Sequence, residues 1–185
     1  MSGAEIAQGH NSAFVDKQNR SFVVYHTRFS NGGEGHQVRV HQLFLNDEGW
    51  LMAAPFEFDG ETITDGAIAS KASIADAEIA GDYQFMRHQY GQNTKAKAFE
   101  TPVNITLNAD GTITGAETGT WKRTAGTDYI HLTINNVVYR GVLVKQTVDY
   151  TNIPAIAISA LSSSSGSLTM GQNNFTYQQE VWAVK

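Results

Sequence analysis

Short runs with the composition of β-strands follow one another along most of this chain, and each run ends in turn residues. Four of them lie between residues 10 and 58: HNSAFVD, SFVVYHTRF, HQVRVHQLFLN and WLMAAPFEF. The segments between them are rich in Asn, Asp and Gly, which favour turns. Apolar side chains occur on both faces of the runs, as in sheets that stack face to face, and four strands form a propeller blade. The sequence therefore predicts a blade-like sheet over residues 1–58.

A second β-rich region extends from residue 83 to residue 185, after a connecting segment at 59–82 with a weak helical signal between Ser73 and Ile79. Hairpin turns are expected at 108–111 and 135–136, where Asn, Asp and Gly tolerate positive φ. The serine-rich segment 162–167 is expected to be a flexible hairpin loop. Because closure removes the exposed edges of many short strands, we predict a small antiparallel barrel over 83–185 and an all-β chain.

Charge and composition exclude several classes of function. The net charge is −5 and Lys and Arg are not clustered, so we expect neither nucleic acid nor a membrane surface as a partner. No apolar run reaches the roughly 18 to 20 residues of a membrane span, and the N-terminal MSGAEIAQGH lacks the features of a signal peptide. Without cysteine, only His and carboxylate side chains are plausible metal ligands.

An ordered set of motifs points to a known family. GHNSAF, HTRF, GEGHQVRVHQLFLNDEGW and APFEF, followed by YQF, LNADGTITG, GTW and YRGV, resemble the C-terminal part of bacterial extracellular endo-1,5-α-L-arabinanases of glycoside hydrolase family 43. The resemblance covers almost the whole chain. It implies that residues 9–58 are the last blade of a five-bladed propeller, that a β-barrel follows, and that arabinan-type polysaccharide is the partner.

The same resemblance limits the predicted activity. Inverting glycosidases need two carboxyl groups beside the scissile bond, and in the resembling family these come from earlier blades. No catalytic residue can therefore be assigned in this chain. The resemblance implies a truncated fragment that is inactive on arabinan alone and has weak carbohydrate or metal binding. The family is extracellular, but this chain shows no signal peptide, so the localisation stays open.

Two metal sites are considered. The resemblance implies that His10, in GHNS, is a calcium ligand near the propeller axis, although calcium prefers oxygen ligands. The alternative for His10 is a strand-end histidine bonded to the backbone. A different cluster, His26, His36 and His41 with Glu34, suits zinc or another divalent transition metal and suggests a metal-dependent hydrolase of activated esters or phosphoesters.

A homodimer is considered both for the inactive fragment and for the metal-dependent hydrolase. His36 and His41 lie five residues apart on one strand, so they point to opposite faces unless a bulge intervenes. The hydrolase would therefore either use His26 and His41 as cross-strand neighbours together with Glu34, or combine His10, His26, His36 or His41 from two chains. An isolated blade would also expose two apolar faces, which we expect it to bury against the barrel or against a second copy in a homodimer.

Several aromatic residues are candidates for carbohydrate binding. These are Trp121, Trp182, Tyr139 and Tyr177. Aromatic faces pack well on the apolar faces of sugar rings. The competing interpretation is that these side chains fill the barrel or its ends, as large aromatic residues commonly do.

Overall fold

The computed structural model describes residues 5–29, 35–60, 69–88, 101–170 and 173–185. An antiparallel sheet in the order β1-β2-β3-β4 comes first. Its strands are β1 (Glu5–Val15), β2 (Ser21–Phe29), β3 (His36–Leu45) and β4 (Leu51–Ala53). The four-stranded sheet predicted from the sequence is confirmed, with β1 at one edge and β4 at the other.

Side chains of turn residues fix two hairpins of this sheet. Between β1 and β2, Asp16 Oδ1 accepts hydrogen bonds from the backbone N of Gln18 at 2.9 Å and of Arg20 at 2.8 Å. Between β3 and β4, Asn46 Oδ1 accepts from the backbone N of Glu48 at 3.0 Å and of Trp50 at 2.9 Å. A short polar side chain that bonds to its own loop defines a tight turn, and so sets the register of the flanking strands.

The second part of the chain is a closed eight-stranded antiparallel barrel, which confirms the predicted fold class. A short helix, α1 (Asp76–Ile79), precedes it within the stretch that carried the weak helical signal. The strands are β5 (Gly81–Arg87), β6 (Val103–Leu107), β7 (Thr112–Gly115), β8 (Gly119–Arg123), β9 (Tyr129–Ile134), β10 (Val137–Thr147), β11 (Pro154–Met170) and β12 (Asn173–Val184). The barrel closes because β9 pairs with β10 and β12 pairs with β5.

The barrel interior is a packed apolar core. In β9 the burial alternates strictly, with Ile130, Leu132 and Ile134 fully buried and the residues between them half-buried. Gly141 lies where two backbones approach closely, since a Cβ at this position would be 2.3 Å from Ser159 O. Side chains fill the interior of small eight-stranded barrels in the same way.

The serine-rich segment 162–167 is not the predicted loop. It lies within β11, which pairs with β12 on both sides of a register shift between Leu161 and Ser165. At this bulge the Ser162 hydroxyl accepts a hydrogen bond from Gln179 N at 2.8 Å, in place of a ladder partner. The prediction was wrong because serine side chains satisfy backbone groups at a bulge and thereby let one long strand continue.

The sheet docks on the outer face of the barrel. Phe44 and Met52 of the sheet belong to the same buried cluster as Val142 and Val144 of β10. The Gln146 side chain bonds to both backbone groups of Phe56, accepting from N at 3.1 Å and donating to O at 2.9 Å. Phe44 and Met52 lie on the opposite face of the sheet from His41, because Phe44 is three residues from His41 on the same strand and pairs with Met52.

Asp47, in the turn before β4, adds a charged contact to this junction. Its Oδ2 lies 2.6 Å from His131 Nε2 and 3.1 Å from Arg140 Nη1. Within the described ranges, none of the helical residues forms a segment long and apolar enough to cross a membrane.

Candidate functional site

Three histidines lie in a row across one part of the sheet. The ring centroids of His10 and His26 are 6.3 Å apart, and those of His26 and His36 are 5.5 Å apart. His10 is exposed and has a φ of 50°, next to shifts in the register between β1 and β2. A bulge of this kind redirects a side chain out of the strand's alternation. His36 Nε2 accepts a hydrogen bond from Arg28 Nε at 2.7 Å.

His41 belongs to a different surface. It pairs with Val23, whereas His26 pairs with Val38, so His41 lies on the opposite face of the sheet from His26. The buried His41 ring is held on two sides, with Nδ1 2.8 Å from Ala54 O and Nε2 3.1 Å from the Tyr25 hydroxyl. Since a carbonyl only accepts, Nδ1 carries a proton, and in the neutral ring Nε2 accepts from the tyrosine.

The structure therefore does not bring the predicted four-residue cluster together. His26 and His36 are neighbours, His41 is on the other face, and Glu34 lies outside the described residues. Across the described ranges, no group of three or more His, Asp or Glu side chains could hold a metal ion. Calcium takes six to eight oxygen ligands, so the residues near His10 do not by themselves fit a calcium centre. The calcium and zinc assignments stay predictions.

The candidate carbohydrate-binding aromatics are dispersed. Tyr139 is buried in the barrel core, and Trp121 packs against that core while its Nε1 donates to Asn108 O at 2.8 Å. Trp182 is on the outer face of the barrel, opposite Ser159 of β11. Tyr177 is half-buried near the start of the described part of β12. They form no shared platform, and Trp182 alone of the four lines the cavity between sheet and barrel.

This cavity has a volume of about 390 Å³. Its lining comes from β1, β2, β3 and β4 on the sheet side and from β12 on the barrel side: Gln8, Gly9, Asn11, Val23, Tyr25, His41, Ala53, Glu180 and Trp182. Burial raises the pKa of the Glu180 carboxyl, while a hydrogen bond of 3.0 Å from Trp182 Nε1 acts against that rise. The arrangement offers an indole, a carboxyl group and amide groups to a small ligand.

Most of these residues were not identified from the sequence. Glu180 precedes Trp182 by two positions on one strand, so period-two alternation places both on the same face and could have identified the carboxyl. The contributions of Gln8 and Tyr25 depend on how the sheet docks on the barrel, for which the sequence carries no local signal.

Comparison with known proteins identifies the family. Residues 55–171 match the C-terminal lipocalin-like domain of glycoside hydrolase family 43, a region that begins at the end of the sheet and includes most of the barrel. The chain belongs to this family. The resemblance seen in the sequence motifs is thereby confirmed.

Two curated relatives are named as arabinanases. The extracellular endo-α-(1→5)-L-arabinanase of Thermotoga petrophila is 44% identical over 146 residues, which are 76% of this chain and 28% of the relative. The extracellular endo-α-(1→5)-L-arabinanase 2 of Bacillus subtilis is 38% identical over 160 residues, 86% of this chain and 32% of the relative. The chain thus spans about a third of the length of these curated relatives.

Solved structures agree with the sequence matches. The endo-1,5-α-L-arabinanase of Thermotoga petrophila, in complex with Tris, superposes with a TM-score of 0.75 and 37% identity over 98% of this chain and 36% of its own. A family 43 glycoside hydrolase of Bacillus licheniformis gives a TM-score of 0.75 and 32% identity over 97% of this chain and 35% of its own. The likeness includes both the sheet and the family 43 C-terminal barrel.

Proposed function

We propose that this chain works in the extracellular degradation of arabinan-type polysaccharide, as the C-terminal part of an endo-1,5-α-L-arabinanase architecture. In this function the sheet acts as one propeller blade and the barrel supports it from outside. The chain contributes no pair of catalytic carboxylates and does not hydrolyse arabinan alone. Any carbohydrate binding by the isolated chain is weak.

The structural match to the Thermotoga petrophila arabinanase carries this proposal. It extends over 98% of the chain and therefore includes the sheet as well as the barrel. A barrel alone would be consistent with many functions, because a fold does not determine a function. A sheet and a barrel joined as in an arabinanase indicate the function more specifically than a barrel alone would.

Exposed apolar residues of the sheet are consistent with a blade that has neighbours. Val38, Leu51 and Trp50 are 64%, 62% and 54% exposed, and Phe14 is 47% exposed. Such residues are usual where a blade contacts the next one. The homodimer predicted from the sequence would cover the same residues, and sedimentation equilibrium distinguishes the two arrangements by mass.

His10 is the candidate metal ligand within this proposal. It would supply one imidazole, and the family resemblance implies that water molecules would supply most of the remaining ligands. Calcium is the ion that the family resemblance implies, and when bound it would supply positive charge next to this edge of the sheet.

A chimaera tests the proposed function. We would replace the matching 36% of the Thermotoga petrophila arabinanase with this chain and measure the release of reducing ends from linear arabinan. The chimaera is expected to hydrolyse arabinan, while this chain alone and the relative without its matching part release nothing above background. Thermal unfolding followed by circular dichroism establishes that each protein is folded.

Two results would overturn the proposal. Release of arabino-oligosaccharides by the chain alone would mean that its own carboxylates perform catalysis. A chimaera that unfolds cooperatively but has no activity would mean that this chain does not replace the C-terminal part of an arabinanase.

A further inference from the structure

We propose that the cavity between the sheet and the barrel is a binding site for a neutral, polyhydroxylated ligand of one or two sugar units. The cavity lies on the face of the sheet that carries His41, away from the row of His10, His26 and His36. Its volume of about 390 Å³ is at the lower end of the range for small-molecule sites.

An immobilised indole forms one wall of this cavity. Trp182 Nε1 donates to Glu180 Oε1 at 3.0 Å, and the His88 ring meets the indole edge to face with centroids 4.3 Å apart. Two contacts therefore fix the orientation of the ring before any ligand arrives. A fixed aromatic face is a suitable surface for the apolar face of a sugar ring, because little side-chain entropy is lost on binding.

Gln8 points to the chemistry of the ligand. Its Nε2 is buried and has no hydrogen-bond partner among the residues that the structure describes, although the residue lines the cavity. An unpaired buried amide costs free energy, which a ligand oxygen would recover by accepting the hydrogen bond. The site thus needs a ligand that carries acceptors.

The lining also argues against charged ligands. None of the described residues that line the cavity is Lys or Arg, so a phosphate or carboxylate ligand would find no cation there. Glu180, whose pKa is raised by burial, would add repulsion whenever it ionises. An ammonium ligand would suit Glu180 but has no acceptor to offer Gln8. A sugar hydroxyl satisfies both, because it donates to the carboxyl group and accepts from the amide.

Ligand titration tests the site directly. We would titrate the whole chain with L-arabinose, α-1,5-L-arabinobiose and D-glucose, and follow tryptophan fluorescence and the heat of binding. Binding with a dissociation constant in the millimolar range is expected for at least one sugar. Gln8→Ala should weaken it about fivefold, the equivalent of one hydrogen bond, and Trp182→Ala should weaken it about tenfold or more.

Further variants show whether the ligand binds in this cavity. Trp50 is exposed and does not line the cavity, so Trp50→Phe should leave the affinity unchanged within about twofold. If Trp182→Ala fails to fold, Gln8→Ala and Tyr25→Phe still test the site, because both variants keep the indole of Trp182 in place.

The outcomes separate this inference from the proposed function. Binding of D-glucose but not of the arabinose ligands would support the sugar site and count against a role in arabinan recognition. Binding that Gln8→Ala and Trp182→Ala leave unchanged would overturn the site. Absence of binding by all three sugars, or binding of tetramethylammonium in their place, would overturn it as well.

Discussion

The sheet and the barrel differ in how they protect the edges of their strands. Each of the strands β5 to β12 has a neighbour on both sides, so closure leaves no strand edge along the barrel. In the sheet, β1 has β2 as a neighbour on one side, and most of its described side chains are exposed. The barrel thus depends on its own closure and packed interior, whereas the sheet depends on what it docks against.

A pair of glycines gives the sharpest test of this difference. In Gly141→Ala the new Cβ would lie 2.3 Å from Ser159 O and 2.5 Å from Ala160 Cβ, inside the barrel wall. We expect a loss of about 3 kcal/mol or more in the free energy of unfolding, because backbone would have to move. In Gly9→Ala the new Cβ meets nothing within 4 Å, so little change is expected.

Urea denaturation followed by circular dichroism measures both variants. Gly119→Ala is a second barrel variant, since its Cβ would lie 1.9 Å from Thr133 O. Equal losses for Gly9→Ala and Gly141→Ala would show that the edge strand is as tightly constrained as the barrel wall. The proposed contrast between the two regions would then be wrong.

Features with a local signal were predictable from the sequence. Asn135 and Asn136 have φ values of 51° and 64°, in keeping with the hairpin expected there, and β9 shows the alternation that its sequence indicates. The serine segment was misread because the hydrogen bond that lets Ser162 sit in a strand comes from a residue on the neighbouring strand. Short-range patterns do not contain that information.

A second prediction concerns a buried polar side chain within the sheet. Gln42 is fully buried, and neither its Oε1 nor its Nε2 has a hydrogen-bond partner among the described residues. It pairs with the buried Phe22. Gln42→Leu should therefore raise the free energy of unfolding by about 1 to 2 kcal/mol, because the unpaired amide is removed from an apolar environment.

The measurement is the urea midpoint, read together with the slope of the transition. Gln18→Leu serves as the control, since Gln18 is exposed in the turn between β1 and β2 and should change stability by less than about 0.5 kcal/mol. A destabilised Gln42→Leu would mean that the amide has a partner it needs, and that this part of the sheet is not simply an apolar contact.

The residues that line the candidate cavity also divide into those that local sequence patterns could identify and those that they could not. Trp182 was selected from the sequence as an aromatic residue, and its neighbour Glu180 could have been added from strand alternation. Gln8 and Tyr25 could not be identified in this way, because they are far from Trp182 in the chain and line the same cavity only because the sheet docks on the barrel. Likewise, the separation of His41 from His26 followed only from the register of β2 and β3.

The smallest expected effect concerns the junction of the two regions. Asp47 accepts from His131 and Arg140 of the barrel, and Asp47→Asn removes the negative charge of this contact while keeping one acceptor. Because these side chains are 12% to 32% exposed, we expect a loss of only about 1 kcal/mol in the free energy of unfolding.

In Asp47→Asn, hydrogen exchange should become faster in β1 to β4 and stay unchanged in β5 to β8, because only the sheet depends on docking. Asp82→Asn, which removes the charge of a carboxylate that accepts from the Thr106 hydroxyl within the barrel, is the control and should leave exchange in the sheet unchanged. Faster exchange throughout the chain in Asp47→Asn would instead indicate that sheet and barrel unfold as one cooperative unit, so that the barrel also draws stability from the sheet.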